Sequence, residues 1–327
     1  MIRFGVIGTN WITEKFIDAA NAVEGFHLTA VYSRKENTAK EFAVKHGATH
    51  IYTNLEEMVS SSEIDAVYIA SPNSLHAEQS IVCMQHGKHV ICEKPLASNQ
   101  REVKKMIHTA KENNVLLMEA MKSTCTPNFQ VIKDHLYKIG PIHRFVANFC
   151  QYSSRYNAYK EGTILNAFNP TFSNGAIMDI GIYCIYPMVT LFGPPKKVLA
   201  SGHLLDSGVD GQGTLLFQYE EMEAVIMYSK ITNSKLPNEI QGEKGSIIID
   251  KISSPSQVSI VYHDGMIEDL SLPQKENTMY YEAKEFIELI KNQQTESTIN
   301  TLERSLITTR LIDEARKQIG ITFPADH

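Results

Sequence analysis

Short apolar runs alternate with amphipathic stretches through the first third of the chain. The runs cover residues 2–7, 27–32, 51–52, 66–70, 89–92 and 115–118; the amphipathic stretches cover 11–23, 38–45, 55–60, 75–86 and 100–113. Runs this short read as strands and the stretches between them as helices, so the pattern predicts strand–helix–strand units and a parallel sheet. Ala66-Val67-Tyr68-Ile69-Ala70 is apolar at every position, as expected of a strand buried on both faces.

Near residue 120 the pattern changes. A helix is predicted over 128–137, then a strand over 142–149, a polar aromatic loop from Tyr152 and a helix over 175–192. Strand-like runs then follow at 198–204, 214–219, 223–230, 239–242, 246–250, 258–262 and 266–270, separated by short turns. Sequential strands joined this way predict an antiparallel sheet. Helical patterns at 279–291 and 301–319 end the chain. The expected fold is α/β: a parallel-sheet domain over 1–120, then an α+β domain over 121–327 whose C-terminal helix packs back on the first.

Composition narrows the partners. A length of 327 residues favours two domains over one core. The net charge of −6 argues against nucleic acid or a membrane surface as partner, and no apolar run looks long enough to span a bilayer. The first strand begins at Ile2, so no signal peptide is expected, and the five scattered cysteines without a C-x-x-C pair fit reduced thiols. Both point to the cytoplasm. The histidines show no ligand spacing, and no metal is expected.

The opening Gly8-Thr9-Asn10-Trp11-Ile12-Thr13 breaks the first strand and starts a helix. That geometry offers a helix N-terminus to a dinucleotide pyrophosphate, although Asn10 and Thr13 replace two glycines of G-x-G-x-x-G. A plain strand–turn–helix is the alternative. The second strand ends in Ser33-Arg34, with no acid for a ribose hydroxyl, which favours NADP over NAD; Arg34 also fits a solvated helix start. Ser71-Pro72-Asn73 with His76 follows the fourth strand, where Asn73 or Ser74 caps a helix and the segment meets the nicotinamide ribose. The fifth strand ends in Glu93-Lys94-Pro95, which puts an ammonium where such sheets open to ligand and where a reacting carbonyl oxygen needs stabilising. Asp179 and Tyr183 lie four residues apart in an otherwise apolar segment, on one helix face. They read either as a cap and a core residue or as a pair facing substrate.

Together these motifs resemble the glucose–fructose oxidoreductase, inositol dehydrogenase and rhizopine-catabolism family. The resemblance spans the chain and rests on Gly5 to Thr13, Ser71-Pro72-Asn73 with His76, Glu93-Lys94-Pro95, Met118-Glu119-Ala120 and Gly175 to Tyr183. It implies a Rossmann-type domain and a second domain whose large open, mainly antiparallel sheet pairs copies into a dimer or tetramer. It also implies a nicotinamide oxidoreductase acting on a sugar-like or polyhydroxylated small molecule. Tyr183 resembles the branch with glucose–fructose oxidoreductase and the dihydrodiol dehydrogenases, which tends to use NADP(H). Gly8, Thr9, Asn10, Trp11, Ile12, Ser33, Arg34, Ser71, Pro72, Asn73, His76, Glu93, Lys94 and Glu119 are the expected cofactor residues. Asn10 is expected to offer its side-chain amide to the pyrophosphate. Lys94, Asp179 and Tyr183 are the expected catalytic residues: Lys94 polarises the substrate oxygen, Lys94 or Tyr183 relays the proton, and Asp179 positions them. Arg155 and Asn157 join these three in substrate selection, with an ordinary surface loop as the alternative. Two rival readings stay open, a dinucleotide-binding regulator without chemistry and a glycosidase that transiently oxidises its substrate.

Overall fold

All residues, Met1–His327, are described by the computed structural model, and they cluster into two units. The first comprises Met1–Met121 and Lys275–Ser305. Its strands are β1 (Ile2–Ile7), β2 (Phe26–Tyr32), β3 (His50–Tyr52), β4 (Ala66–Ile69), β5 (His89–Glu93) and β6 (Leu117–Ala120). Helices α1 (Trp11–Ala20), α2 (Glu36–His46), α3 (Leu55–Ser60), α4 (Asn73–Gln85) and α5 (Gln100–Glu112) connect them. The sheet order is β3-β2-β1-β4-β5-β6 and every pair is parallel. That order reverses direction between β1 and β4, where doubly wound sheets open a crevice for ligand beyond the strand ends. All four residues of β4 are buried, in keeping with helices on both faces.

Aromatic rings pack at the centre of a largely aliphatic core in this unit. Phe16 of α1 stacks on Tyr68 of β4 at 3.8 Å, and Phe4 of β1 sits 4.9 Å from Phe26 and 5.9 Å from Phe286. Phe286 belongs to α9 (Met279–Lys291), whose buried Met279, Ala283, Phe286 and Ile287 join this core. Residues 275–305 therefore belong with the parallel sheet, contrary to the expectation of one continuous second domain over 121–327. Helix α10 (Leu302–Ile319) starts in the first unit and ends in the second.

The second unit comprises Lys122–Gln274 and Leu306–His327. Helix α6 (Pro127–His135) precedes β7 (Ile142–Cys150), and α7 (Arg155–Lys160) occupies the segment expected to be a loop. A π turn, Ile177–Gly181, leads into α8 (Ile182–Phe192). The remaining strands are β8 (Lys197–Leu204), β9 (Asp210–Gln218), β10 (Glu223–Ser229), β11 (Asn238–Gly242), β12 (Gly245–Ile249), β13 (Val258–Tyr262) and β14 (Ile267–Asp269). They form one sheet in the order β14-β13-β12-β11-β7-β10-β9-β8.

Most of its pairs are antiparallel, as expected, but β7 inserts between β10 and β11 and runs parallel to β10. Asn148 secures that insertion. Its amide nitrogen donates to the carbonyls of Leu236 and Pro237 at 2.9 and 3.1 Å, and its backbone N–H donates to Asn238 Oδ1 at 2.8 Å. These bonds pair the end of β7 with the start of β11 and fix the register. The apolar stretch Pro170–Phe192 is long enough to cross a bilayer by length and composition, which the sequence reading did not anticipate. Of its most apolar 18-residue window, 72% is buried inside the protein, the environment of a core helix.

Candidate active site

In the first unit, β1 ends at a turn that approaches β4 closely. Gly8 has φ +104°, and a Cβ there would lie 2.6 Å from the Ala70 carbonyl oxygen. Only glycine meets both conditions. Asn10 caps α1: its Oδ1 accepts from the N–H groups of Ile12 and Thr13 at 2.9 and 3.4 Å, and its Nδ2 donates to Ala70 O at 2.8 Å. The side chain thus spans the gap between the α1 start and the β4 end with one of its two amide hydrogens. Thr9 and Ile12 are half-buried and Trp11 is exposed, with the Lys15 ammonium 5.3 Å from its ring. Thr13 Oγ1 is buried without a hydrogen-bond partner in this turn.

At the end of β2, Ser33 is half-buried and its Oγ accepts from Lys35 N–H at 3.4 Å, while Arg34 and Lys35 are exposed. Beyond β4, Ser71 Oγ donates to Gln79 Oε1 at 2.6 Å. Pro72 occupies the capping position of α4, one residue before the expected cap at Asn73 or Ser74, and both of these lie in the first turn of the helix. His76 is 1% exposed, with Nδ1 2.9 Å from Pro95 O and Nε2 2.9 Å from Ser71 O. Both ring nitrogens face backbone carbonyls, and the neutral ring, with one N–H, donates to one of them, so His76 sits between the loops that follow β4 and β5. Burial lowers its imidazole below the usual range.

Lys94 follows β5 directly and is half-buried, before a cis peptide bond to Pro95. The carboxylates beside it are internal struts. Glu93 Oε1 accepts from Tyr68 OH at 2.7 Å. Glu119, 1% exposed, accepts from Leu96 N–H at 2.9 Å through Oε1, which corrects its expected contact with cofactor. Burial pushes the Glu119 carboxyl up to about 7, opposed by Ser305, the Leu96 amide and the Lys94 charge.

In the second unit, every residue from Ser173 to Val189 is buried except Asp179 and Tyr183, both half-buried. The segment is therefore core everywhere but at these two side chains. Asp179 lies in the π turn, where Ile182 N–H reaches back to Ile177 O, five residues away. Such turns change which side chains share a face and often mark functional sites. Asp179 does not cap the helix; Asp210 of β9 does, accepting from Ala176 and Ile177 N–H groups at 2.9 and 2.8 Å.

Sequence reasoning missed Asp210 and also Lys230. Lys230 is 4% exposed and donates to Asp179 Oδ2 and, at 2.8 Å, to Ala167 O; its ammonium stands 4.9 Å from the Phe168 ring. A signal was present, a single cation ending an apolar run, Ala224 to Lys230. The Tyr183 ring meets Phe149 edge-on at 5.8 Å. Nearby in sequence, Asn157 Oδ1 accepts from Tyr152 OH at 2.7 Å, and Arg155 is exposed at the start of α7.

Residues 2–121 match the oxidoreductase family with an NAD-binding Rossmann fold, and residues 136–248 match the GFO/IDH/MocA C-terminal domain. The chain belongs to the GFO/IDH/MocA oxidoreductase family. It is 57% identical over 326 residues to scyllo-inositol 2-dehydrogenase (NADP(+)) IolU of Bacillus subtilis, covering 100% of this chain and 99% of that protein. It is 30% identical to trans-1,2-dihydrobenzene-1,2-diol dehydrogenase of Xenopus tropicalis, covering 98% and 99%. Among solved structures, KijD10 is a 3-ketoreductase from Actinomadura kijaniata, in complex with NADP and TDP-benzene. It is 26% identical with a TM-score of 0.86, over 97% of this chain and 98% of that one. As a family member this chain is a nicotinamide-dinucleotide oxidoreductase acting on CH–OH groups. The close β1–β4 approach at Gly8 and the exposed Arg34 and Lys35 beyond β2 fit such a cofactor.

Proposed function

We propose that this oxidoreductase uses NADP(H) to interconvert a ring hydroxyl and a ketone on a cyclic polyol of the inositol type. The observation that carries the reading is end-to-end likeness, at 57% identity, to a protein named for NADP+-dependent oxidation of scyllo-inositol. Preference for the phosphorylated dinucleotide is supported by Ser33, Arg34 and Lys35, a hydroxyl and two cations with no acid among them.

Gly8 and the α1 start would receive the pyrophosphate, and Arg34 the ribose phosphate. A dinucleotide held there would supply the acceptor or donor of hydride for the substrate carbon. Lys94 holds the reacting oxygen and stabilises the negative charge that develops on it. Tyr183 delivers or takes the proton, and Asp179, gripped by Lys230, orients the hydroxyl-bearing ligand. Arg155 and Asn157 lie at the start of α7 and contribute to selection among polyols. Copies of the chain pair through the outer face of the second sheet, where Leu199 is 47% exposed and Val146, Leu216 and Val225 are half-buried.

The test is turnover of purified protein with scyllo-inositol, myo-inositol, aldoses and vicinal diols, each with NADP+ and NAD+, followed by nicotinamide absorbance. The expected result is net NADP+ reduction with a cyclitol and at least tenfold lower kcat/KM with NAD+. Sugar release from a glycoside without net reduction, or no turnover with any hydroxyl substrate, contradicts the reading.

A further inference from the structure

Asp210 has no place in the mechanism above, yet it is fully buried, and a buried carboxylate is costly unless its oxygens are paired. Here each oxygen is used. Oδ1 takes the Ala176 amide and Oδ2 takes the Ile177 amide, the two N–H groups that open the π turn. Asparagine offers a single acceptor at this position, and serine is a shorter side chain with one oxygen. Gly175 makes room for the grip: its φ is +144°, and a Cβ on it would lie 2.3 Å from Asp210 Oδ1.

The neighbouring strand completes the arrangement. Lys230, just past β10, donates its backbone N–H to Gly211 O at 2.8 Å and its ammonium to Asp179. One corner of the sheet thus holds the segment twice, by its backbone through Asp210 and by its acidic side chain through Lys230.

We propose that Asp210 is a positioning residue for the reaction: by gripping the Ala176 and Ile177 amides it fixes where the π turn presents Asp179 and Tyr183. The inference rests on the functional reading given above. Burial pushes the Asp210 carboxyl up to about 6, so it is ionised at neutral pH at a cost to the fold. Tyr228, buried beside it, has its phenol pushed up by burial and by that negative charge. A residue whose charge costs stability and whose two acceptors hold the site segment separates function from folding in a measurable way.

The experiment compares Asp210→Asn with wild type for kcat and KM on the best polyol, for NADP+ dissociation constant by fluorescence, and for thermal midpoint. Asparagine removes the buried charge and one acceptor. The expected result is a kcat lowered at least tenfold, a dissociation constant within about twofold of wild type, and an unchanged or higher midpoint. Asp210→Ser serves as a second variant, with the same fall in kcat expected. A wild-type kcat in D210N overturns the proposal. So does failure of both variants to fold, which assigns Asp210 to stability alone. If the wild-type protein itself turns over no polyol, the functional reading fails and this inference falls with it; if wild type is active and D210N matches it, this inference alone fails.

Discussion

Glu119 shows how a single residue departs from what its motif suggests. It lies in the Met118-Glu119-Ala120 element that marks the family, yet its carboxylate faces inward to Leu96 N–H, in the turn that follows Lys94. Burial raises its carboxyl from the usual 4.5 to about 7. A carboxyl that titrates higher folded than unfolded favours the fold when protonated. Its contribution is complete below about pH 4.5 and is lost as pH rises through 7. At about 1.4 kcal/mol per pH unit, the loss is on the order of 3 kcal/mol. Glu119→Gln keeps an acceptor for Leu96 and removes the titration. Urea denaturation from pH 5 to 8 should show wild type losing stability as pH rises and the variant losing markedly less. Parallel curves would mean that Glu119 carries no such proton in the folded state. The same scale explains Asn10. A glycine-rich pattern says only that a turn is tight, whereas the capping bonds and the crossing to Ala70 depend on β4, some sixty residues away.

At the level of elements, the parallel sheet was legible because its strands are short, apolar and separated by helical spacing. What was not legible was anything set by partners distant in sequence. Nothing in the pattern of residues 279–291 says which sheet they cover; the answer lies in Phe286, which meets Phe4 of β1. Truncation of this fully buried ring should therefore destabilise the first unit. Phe286→Ala is expected to cost about 3–5 kcal/mol, read as a lower denaturation midpoint accompanied by weaker NADP+ binding. Loss of stability with wild-type cofactor affinity at a temperature where the variant is half unfolded would contradict that assignment. The π turn is the other element periodicity missed. Apolar spacing over 175–192 predicts one regular helix, and the displacement at Ile177–Gly181 arises where Asp210 and Lys230 take hold from two adjacent strands. Similarly, the β7 insertion follows from Asn148 and its bonds to the chain before β11, which strand order along the sequence does not reveal.

For the molecule as a whole, the proposed function draws on residues of each compact unit. The first offers the Gly8 turn, the cations after β2 and Lys94; the second offers Asp179 and Tyr183 on an otherwise buried segment. The division of labour makes a sharp claim, since cofactor binding and chemistry should be separable by mutation. The measurement that tests it most directly is Lys94→Ala assayed twice, for NADP+ dissociation and for turnover of the best cyclic polyol. The account predicts a dissociation constant within about threefold of wild type and a kcat reduced by a factor on the order of 10³ or more, the loss of a group that stabilises developing charge. A variant that keeps wild-type turnover, or that loses cofactor affinity in proportion to rate, would contradict it.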